Sequence, residues 1–128
     1  SPPMNFVDAR IENGQAHMEG VSFSLGEETA RLLKSYNGQN VVLGIRPEHI
    51  YGDDFVPALA KSFTVQAQVQ VIENLGAENL LYFRVGGRMV TARVKPETEA
   101  RIGQLKTFVF DASKLHFFDP ATEQRIGT

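Results

Sequence analysis

Cysteine and tryptophan are both absent from the 128 residues. Without cysteine the chain can form neither a disulfide nor a thiolate metal site. That absence is compatible with a cytosolic setting. No apolar run approaches the ~20 residues that a membrane-spanning helix requires. No basic-then-apolar signal segment opens the sequence as given. Neither sign of charge dominates: 13 basic residues face 15 acidic ones, for a formal charge of −2. Nucleic-acid surfaces ordinarily carry a basic stripe, so this balance argues against one.

Motifs of catalysis are missing as well. Neither Gly-x4-Gly-Lys-Ser/Thr nor Gly-x-Gly-x-x-Gly occurs, so no phosphate-gripping loop is expected. No serine sits in a nucleophile elbow. His17, His49 and His116 are far apart in sequence. A three-histidine metal centre would need the fold to gather them, and scattered surface or strand-end histidines are the simpler reading. Tyr82, Phe83, Phe117 and Phe118 raise the question of base stacking. Phe83 falls on the expected inner face, however, and Phe117 and Phe118 cannot both face outward from one strand.

What is present is a chain built for strands. Hydrophobic residues make up 42% and include nine Phe, enough bulk for a core in one domain or in two small lobes that share it. Phe6 to Glu12 and Gln15 to Met18 flank Asn13-Gly14, the strongest short hairpin signal. Val21 to Leu25 alternates with a period of two. Glu27 to Tyr36 is the single expected helix, with Ala30, Leu32, Leu33 and Tyr36 on one broad apolar face and Asn37-Gly38 as its stop. Asn40 to Arg46 is a further strand. From Val65 to Val71, apolar residues alternate with Gln66, Gln68 and Gln70, which predicts one buried and one wet face. Leu80 to Val85 and Arg88 to Val94 flank Gly86-Gly87, with Phe83 opposite Val90 and Leu81 opposite Ala92. Lys106 to Asp111 and Leu115 to Phe118 complete nine or ten strands. The fold class expected is all-β, with small barrel-like lobes and one short helix.

The sharpest change of character lies at Val41-Val42-Leu43-Gly44-Ile45-Arg46-Pro47-Glu48-His49-Ile50. Pro47 has no amide hydrogen and cannot extend a ladder, and it pushes Arg46 toward an extended backbone. The strand should therefore exit rigidly and present Arg46, Glu48 and His49 together. Arg46 and Glu48 then either form an ion pair or bond the turn backbone, or they face a partner subunit. Glu73 and Glu78 flank a second turn, at Leu75-Gly76, where Gly76 permits a positive φ. Their carboxylates are read as solvated or paired, or else as facing a partner.

Four stretches, in order, resemble one family. Leu43-Gly44-Ile45-Arg46-Pro47-Glu48-His49 resembles the signature of the C-terminal regulatory domain of ATP-binding subunits in sugar-importing ABC transporters, the maltose and glycerol-3-phosphate type with a TOBE module. Ser1-Pro2-Pro3-Met4-Asn5-Phe6 resembles the junction after the ATPase domain. Val71-Ile72-Glu73-Asn74-Leu75-Gly76-Ala77-Glu78 resembles a family strand and turn, and His116-Phe117-Phe118-Asp119-Pro120 its closing strand. The chain departs from the family at Glu123, where a Gly is expected. A Glu resists the left-handed backbone, so the last turn is expected to differ in geometry or to fray.

The resemblance implies an OB-type barrel joined to a TOBE-type strand set over residues 1–128, a fragment without its ATPase domain. It implies a regulatory and dimerisation role with no catalysis and no cofactor in this portion, ATP and magnesium belonging to the missing part. The implied partners are a second copy of the subunit, the transporter's membrane subunits and a cytosolic regulatory protein, with no nucleic acid. The implied location is peripheral, on the cytoplasmic side of a bacterial or archaeal inner membrane. Arg46, Pro47, Glu48, His49, Glu73, Leu75, Gly76 and Glu78 are the candidate interface or structural residues. The alternative is a module that binds molybdate, tungstate or another small ligand.

Overall fold

Asn13 and Gly14 both hold positive φ, 49° and 76°, the backbone that a two-residue hairpin turn requires. Around them β1 (Asn5–Glu12) pairs antiparallel with β2 (Gln15–Met18), with Ile11 opposite Ala16. The computed structural model describes residues 2–127. The chain continues through β3 (Val21–Ser24), helix α1 (Glu27–Leu32), β4 (Asn40–Ile45), β5 (Ile50–Gly52) and β6 (Ser62–Gln68). It then runs through β7 (Val71–Asn74), β8 (Asn79–Val85), β9 (Arg88–Val94), β10 (Leu105–Asp111) and β11 (His116–Phe118).

Three antiparallel sheets result, with strand orders β11-β4-β1-β2-β3, β5-β10-β6 and β7-β8-β9. The all-β class with one short helix is as expected. β1 alternates buried and exposed along its whole length, so a one-residue slip would turn its apolar set to water.

A chain of phenylalanines joins the sheets into one core. Phe23 of β3 stacks on Phe63 of β6 at 4.0 Å, and Phe63 on Phe110 of β10 at 4.9 Å. Phe83 of β8 stacks on Phe108 at 3.8 Å and meets Phe110 edge-on at 6.3 Å. Every sheet thus contributes a ring to one contiguous cluster.

Four features differ from the sequence reading. The helix ends at Leu32 and a 3-10 turn covers Lys34–Tyr36. Leu33 is wholly buried but Leu32 is 43% exposed, because the expected apolar face is wider than one turn and a half of helix can bury. The strand expected from Val65 to Val71 breaks after Gln68. Val69 donates its N–H to Gln104, whereas Gln70 donates to Tyr82, so the chain changes sheets at that peptide. Val71, expected inside, is 44% exposed. A short β5 follows the Arg46–His49 turn, and Tyr51 pairs with Val109 of β10. It brings the strands among the described residues to eleven.

The last difference is at Glu123, which takes a left-handed φ of 63° in a turn that is bonded and does not fray. Asp119 compensates for it. Its Oδ1 accepts the N–H groups of Ala121 and Thr122 at 2.8 and 3.0 Å. Asp119 and Glu123–Gln124 exchange two further backbone bonds, and Phe118 bridges to Arg125.

Candidate functional site

The signature strand ends as its proline dictates. Arg46 is extended, and Pro47–His49 form a 3-10 turn closed by the His49 N–H donating to the Arg46 carbonyl at 3.0 Å. Pro47 is buried, Arg46 is exposed, and Glu48 and His49 are half-buried. Arg46 and Glu48 form no ion pair among the described residues, and no side-chain bond caps the turn. The two charges are felt on different sides. Burial, then Asp111 and then the Glu48 carboxylate raise the Tyr51 pKa, whereas the Arg46 guanidinium adds to burial and Arg125 in lowering that of His116. The rigidity comes from the buried ring of Pro47 and the backbone bond.

Gly44, ahead of this turn, lets Met4 and Phe118 close over the strand. A Cβ there would come within 2.7 Å of Met4 Sδ and 2.8 Å of Phe118 Cε2, distances real side chains do not reach. Phe118 also meets Phe6 edge-on at 5.6 Å. The Leu-Gly-Ile part of the signature thus packs into the core of the first sheet, with Leu43 and Ile45 wholly buried.

His116 lies opposite Gly44 on β11, and the fold brings it near His49. Burial, foremost, and the charges of Arg125, Arg46 and His49 hold the His116 imidazole below its usual range. Nδ1 of each histidine is buried without a hydrogen-bond partner. Protonating His116 Nδ1 would bury an unsatisfied N–H group, so that ring favours the neutral form with the proton on Nε2. Among the described residues no group of three or more His, Cys, Asp or Glu side chains is placed to hold a metal ion.

The second turn is a tight one. Gly76 has φ +86°, and the Leu75 N–H donates to the Glu78 carbonyl at 2.9 Å. Both flanking carboxylates are paired. Glu73 accepts the Tyr82 hydroxyl, a bond that heads the causes raising the tyrosine's pKa. Glu78 faces Arg93 at 3.4 Å. Leu75 stands 53% exposed at the tip. No hydrogen bond or ion pair joins the two candidate turns directly among the described residues. The 47–49 turn packs on β9, the strand that carries Arg93.

Comparison with known proteins gives this geometry its class. A model of the MalK OB fold domain matches residues 1–50, and one of the TOBE domain matches residues 43–118. The chain belongs to the TOBE domain family. It is 33% identical to the oligosaccharides import ATP-binding protein MsmX of Bacillus subtilis, over 98% of this chain and 35% of that protein. It is 35% identical to the multiple sugar-binding transport ATP-binding protein MsmK of Streptococcus mutans, over 98% of this chain and 34% of that protein. The trehalose/maltose import ATP-binding protein MalK of Thermococcus litoralis is also 35% identical, over 98% and 35%. The chain thus spans about a third of the length of these relatives. The cytoplasmic molybdate-binding protein ModG, solved with molybdate bound, shares the fold at a TM-score of 0.67 and 18% identity. It covers 91% of this chain, and 96% of its own chain is covered.

Proposed function

We propose that this chain is the regulatory and dimerisation portion of the ATP-binding subunit of a carbohydrate-type ABC importer, and that it performs no catalysis itself. The observation that carries this reading is the near-complete match to sugar-import ATP-binding proteins, which takes up 98% of this chain and about a third of theirs. The sequence has none of the phosphate-gripping patterns that ATP hydrolysis needs. ATP and magnesium would be held by a separate portion of the same subunit.

In this reading the three-sheet body is a rigid element that pairs with its copy. It biases the equilibrium between open and closed ATPase halves. The turn at Leu75–Gly76 is the foremost contact candidate, because Leu75 is exposed and both neighbouring carboxylates already have partners within the chain, Glu73 the Tyr82 hydroxyl and Glu78 the Arg93 guanidinium. Val71, Ile102 and Leu105, 44%, 70% and 62% exposed, are further apolar groups available to a partner. The subunit would sit on the cytoplasmic side of the membrane, attached through membrane subunits that the ATPase portion engages. A cytosolic regulatory protein is a further partner in this scheme.

The test is the reading frame that encodes the chain. A phosphate-binding loop and an ABC signature upstream, in frame, are the expected result. An independent frame that starts near residue 1 without them would overturn the proposal. The oxyanion alternative rests on likeness of fold alone. Titration calorimetry with molybdate and tungstate separates the two, and micromolar binding would favour the alternative.

A further inference from the structure

The chain carries two Asn-Gly dipeptides, Asn13-Gly14 and Asn37-Gly38. Asparagine is a thermolabile residue. Before glycine its carboxamide meets a backbone nitrogen that no following side chain shields. Both pairs are in turns, and both asparagines are exposed. A Cβ on either glycine would meet nothing within 4 Å, so the space around them does not distinguish the two turns. Their hydrogen bonds do.

The two turns are neighbours in the fold. Asn13 donates its N–H to Asn37 Oδ1 at 2.9 Å. The Gly38 N–H donates to the Ile11 carbonyl of β1 at 2.7 Å. At the second dipeptide both reacting groups are therefore engaged, the carboxamide as an acceptor and the glycine nitrogen as a donor. At the first dipeptide neither is. The Asn13 side chain and the Gly14 N–H make no hydrogen bond among the described residues. Gly14 is tied through its carbonyl, which accepts the Leu25 N–H at 2.9 Å.

We propose that Asn13 is a site of spontaneous deamidation and isoaspartate formation, and that the fold shields Asn37 from the same reaction. The Gly14 nitrogen, once a base has taken its proton, attacks Cγ of Asn13. The new N–C bond closes a succinimide ring, and the side-chain nitrogen leaves as ammonia after taking a proton from solvent. Water then opens the ring at either carbonyl. One opening gives aspartate, and the other gives isoaspartate, which carries an extra methylene in the main chain. The net change is amide plus water to acid plus ammonia, with no oxidant or reductant. Each event adds one negative charge to a chain whose formal charge is −2. At Asn37 the same closure must first free Gly38 from Ile11 and the carboxamide from Asn13, which requires local opening. The proposal stands on the two turns alone and does not depend on the importer reading.

The test is incubation of the folded chain in mildly alkaline buffer, followed by tryptic mass mapping. Cleavage after Arg10, Arg31, Lys34 and Lys61 puts the two asparagines in separate peptides, 11–31 and 35–61. The expected result is conversion at Asn13, with an aspartate and an isoaspartate product, about tenfold faster than at Asn37. That factor is what the loss of one to two hydrogen bonds supplies. With the chain unfolded in guanidinium chloride the two sites should react at similar rates. Amide exchange checks the cause: the Gly38 N–H should exchange more slowly than that of Gly14. Asn13→Gln, which keeps the backbone donor to Asn37, should abolish the early conversion and leave Asn37 slow. Equal rates at the two sites in the folded chain overturn the proposal. So does a folded chain in which Asn13 stays intact while the unfolded chain converts.

Discussion

The side-chain amide of Asn5 pairs with the backbone of Thr91 in both directions. Its Nδ2 donates to the Thr91 carbonyl and its Oδ1 accepts the Thr91 N–H, each at 2.8 Å. Asn5 therefore supplies β9 with the bonds of a neighbouring strand and ties the first sheet to the third. It is 6% exposed, so its loss strands two backbone groups away from water. Asn5→Leu is expected to cost ~2–4 kcal/mol, one desolvation penalty for each group. Asn5→Asp keeps the acceptor but turns a carboxylate on the Thr91 carbonyl, and it is expected to destabilise as well. Urea unfolding measures both. A loss below ~0.5 kcal/mol in Asn5→Leu would mean that water reaches Thr91 freely.

The phenylalanine chain predicts cooperative unfolding. Phe83, fully buried, contacts Phe108 and Phe110 of another sheet. Phe83→Ala is expected to cost ~3–5 kcal/mol. The tyrosine signal and backbone circular dichroism should still report one transition, because every sheet draws on the same core. Two separated transitions would show that the sheets fold independently.

Local patterns were legible in the sequence, and long-range choices were not. The β8–β9 hairpin, with Phe83 opposite Val90 and Leu81 opposite Ala92, follows from alternation around two glycines. The break between Val69 and Gln70 leaves the alternation intact. What changes there is the partner, from Gln104 to Tyr82, and a one-dimensional pattern carries no sign of that. The helix was read too long because the chain tightens into a 3-10 turn over Lys34–Tyr36 after Leu33, and residue type alone does not distinguish the two. At the sites, the Pro47 turn and the Gly76 turn were visible from residue type. The proximity of His49 to His116 depends on strand pairing across the sheets.

Lys106, which is buried and donates to Asp53 and Asp54 at 3.3 and 3.2 Å, gives an acid-sensitivity prediction. Burial alone would raise the Asp54 pKa, but the Glu99 amide, its own backbone N–H and Lys106 together lower it from 3.8. A carboxylate with a depressed folded pKa contributes stability that is complete above its unfolded value. That contribution is lost as pH falls through the folded one. Wild-type stability should therefore decline below pH 3.8. Replacing both partners, Asp53→Asn with Asp54→Asn, leaves Lys106 buried without a counter-charge and is expected to cost ~3–5 kcal/mol at neutral pH. Equal stability of the double variant and wild type at pH 7 would show that water screens Lys106.

Glu123 offers a stabilising substitution. Its φ of 63° costs an L-residue ~1–2 kcal/mol, which glycine avoids. Glycine gives back ~0.5–1 kcal/mol in unfolded-chain entropy. Glu123→Gly is therefore expected to stabilise by ~0.5–1 kcal/mol, a rise of a few degrees in Tm. Glu123→Ala keeps the strain and should gain nothing. A fall in Tm for the glycine variant would show that the Glu123 side chain holds the turn.

His116 sets the pH response near neutrality. Burial, then Arg125, Arg46 and His49, lower its pKa from 6.5. The unfolded chain therefore binds a proton that the folded chain refuses over the interval between the two values. Stability is complete above pH 6.5 and falls as pH drops through that interval toward the folded value. Arg125→Ala removes the guanidinium with the larger effect and should move the His116 titration up toward its unperturbed position. His116→Phe should remove most of the slope between neutral and mildly acidic pH. The checks are the His116 Cε1–H chemical shift against pH and the urea midpoint at two pH values. An Arg125→Ala variant whose His116 titrates where wild type does would show the Arg125 guanidinium to be without effect and leave the depression to burial, Arg46 and His49.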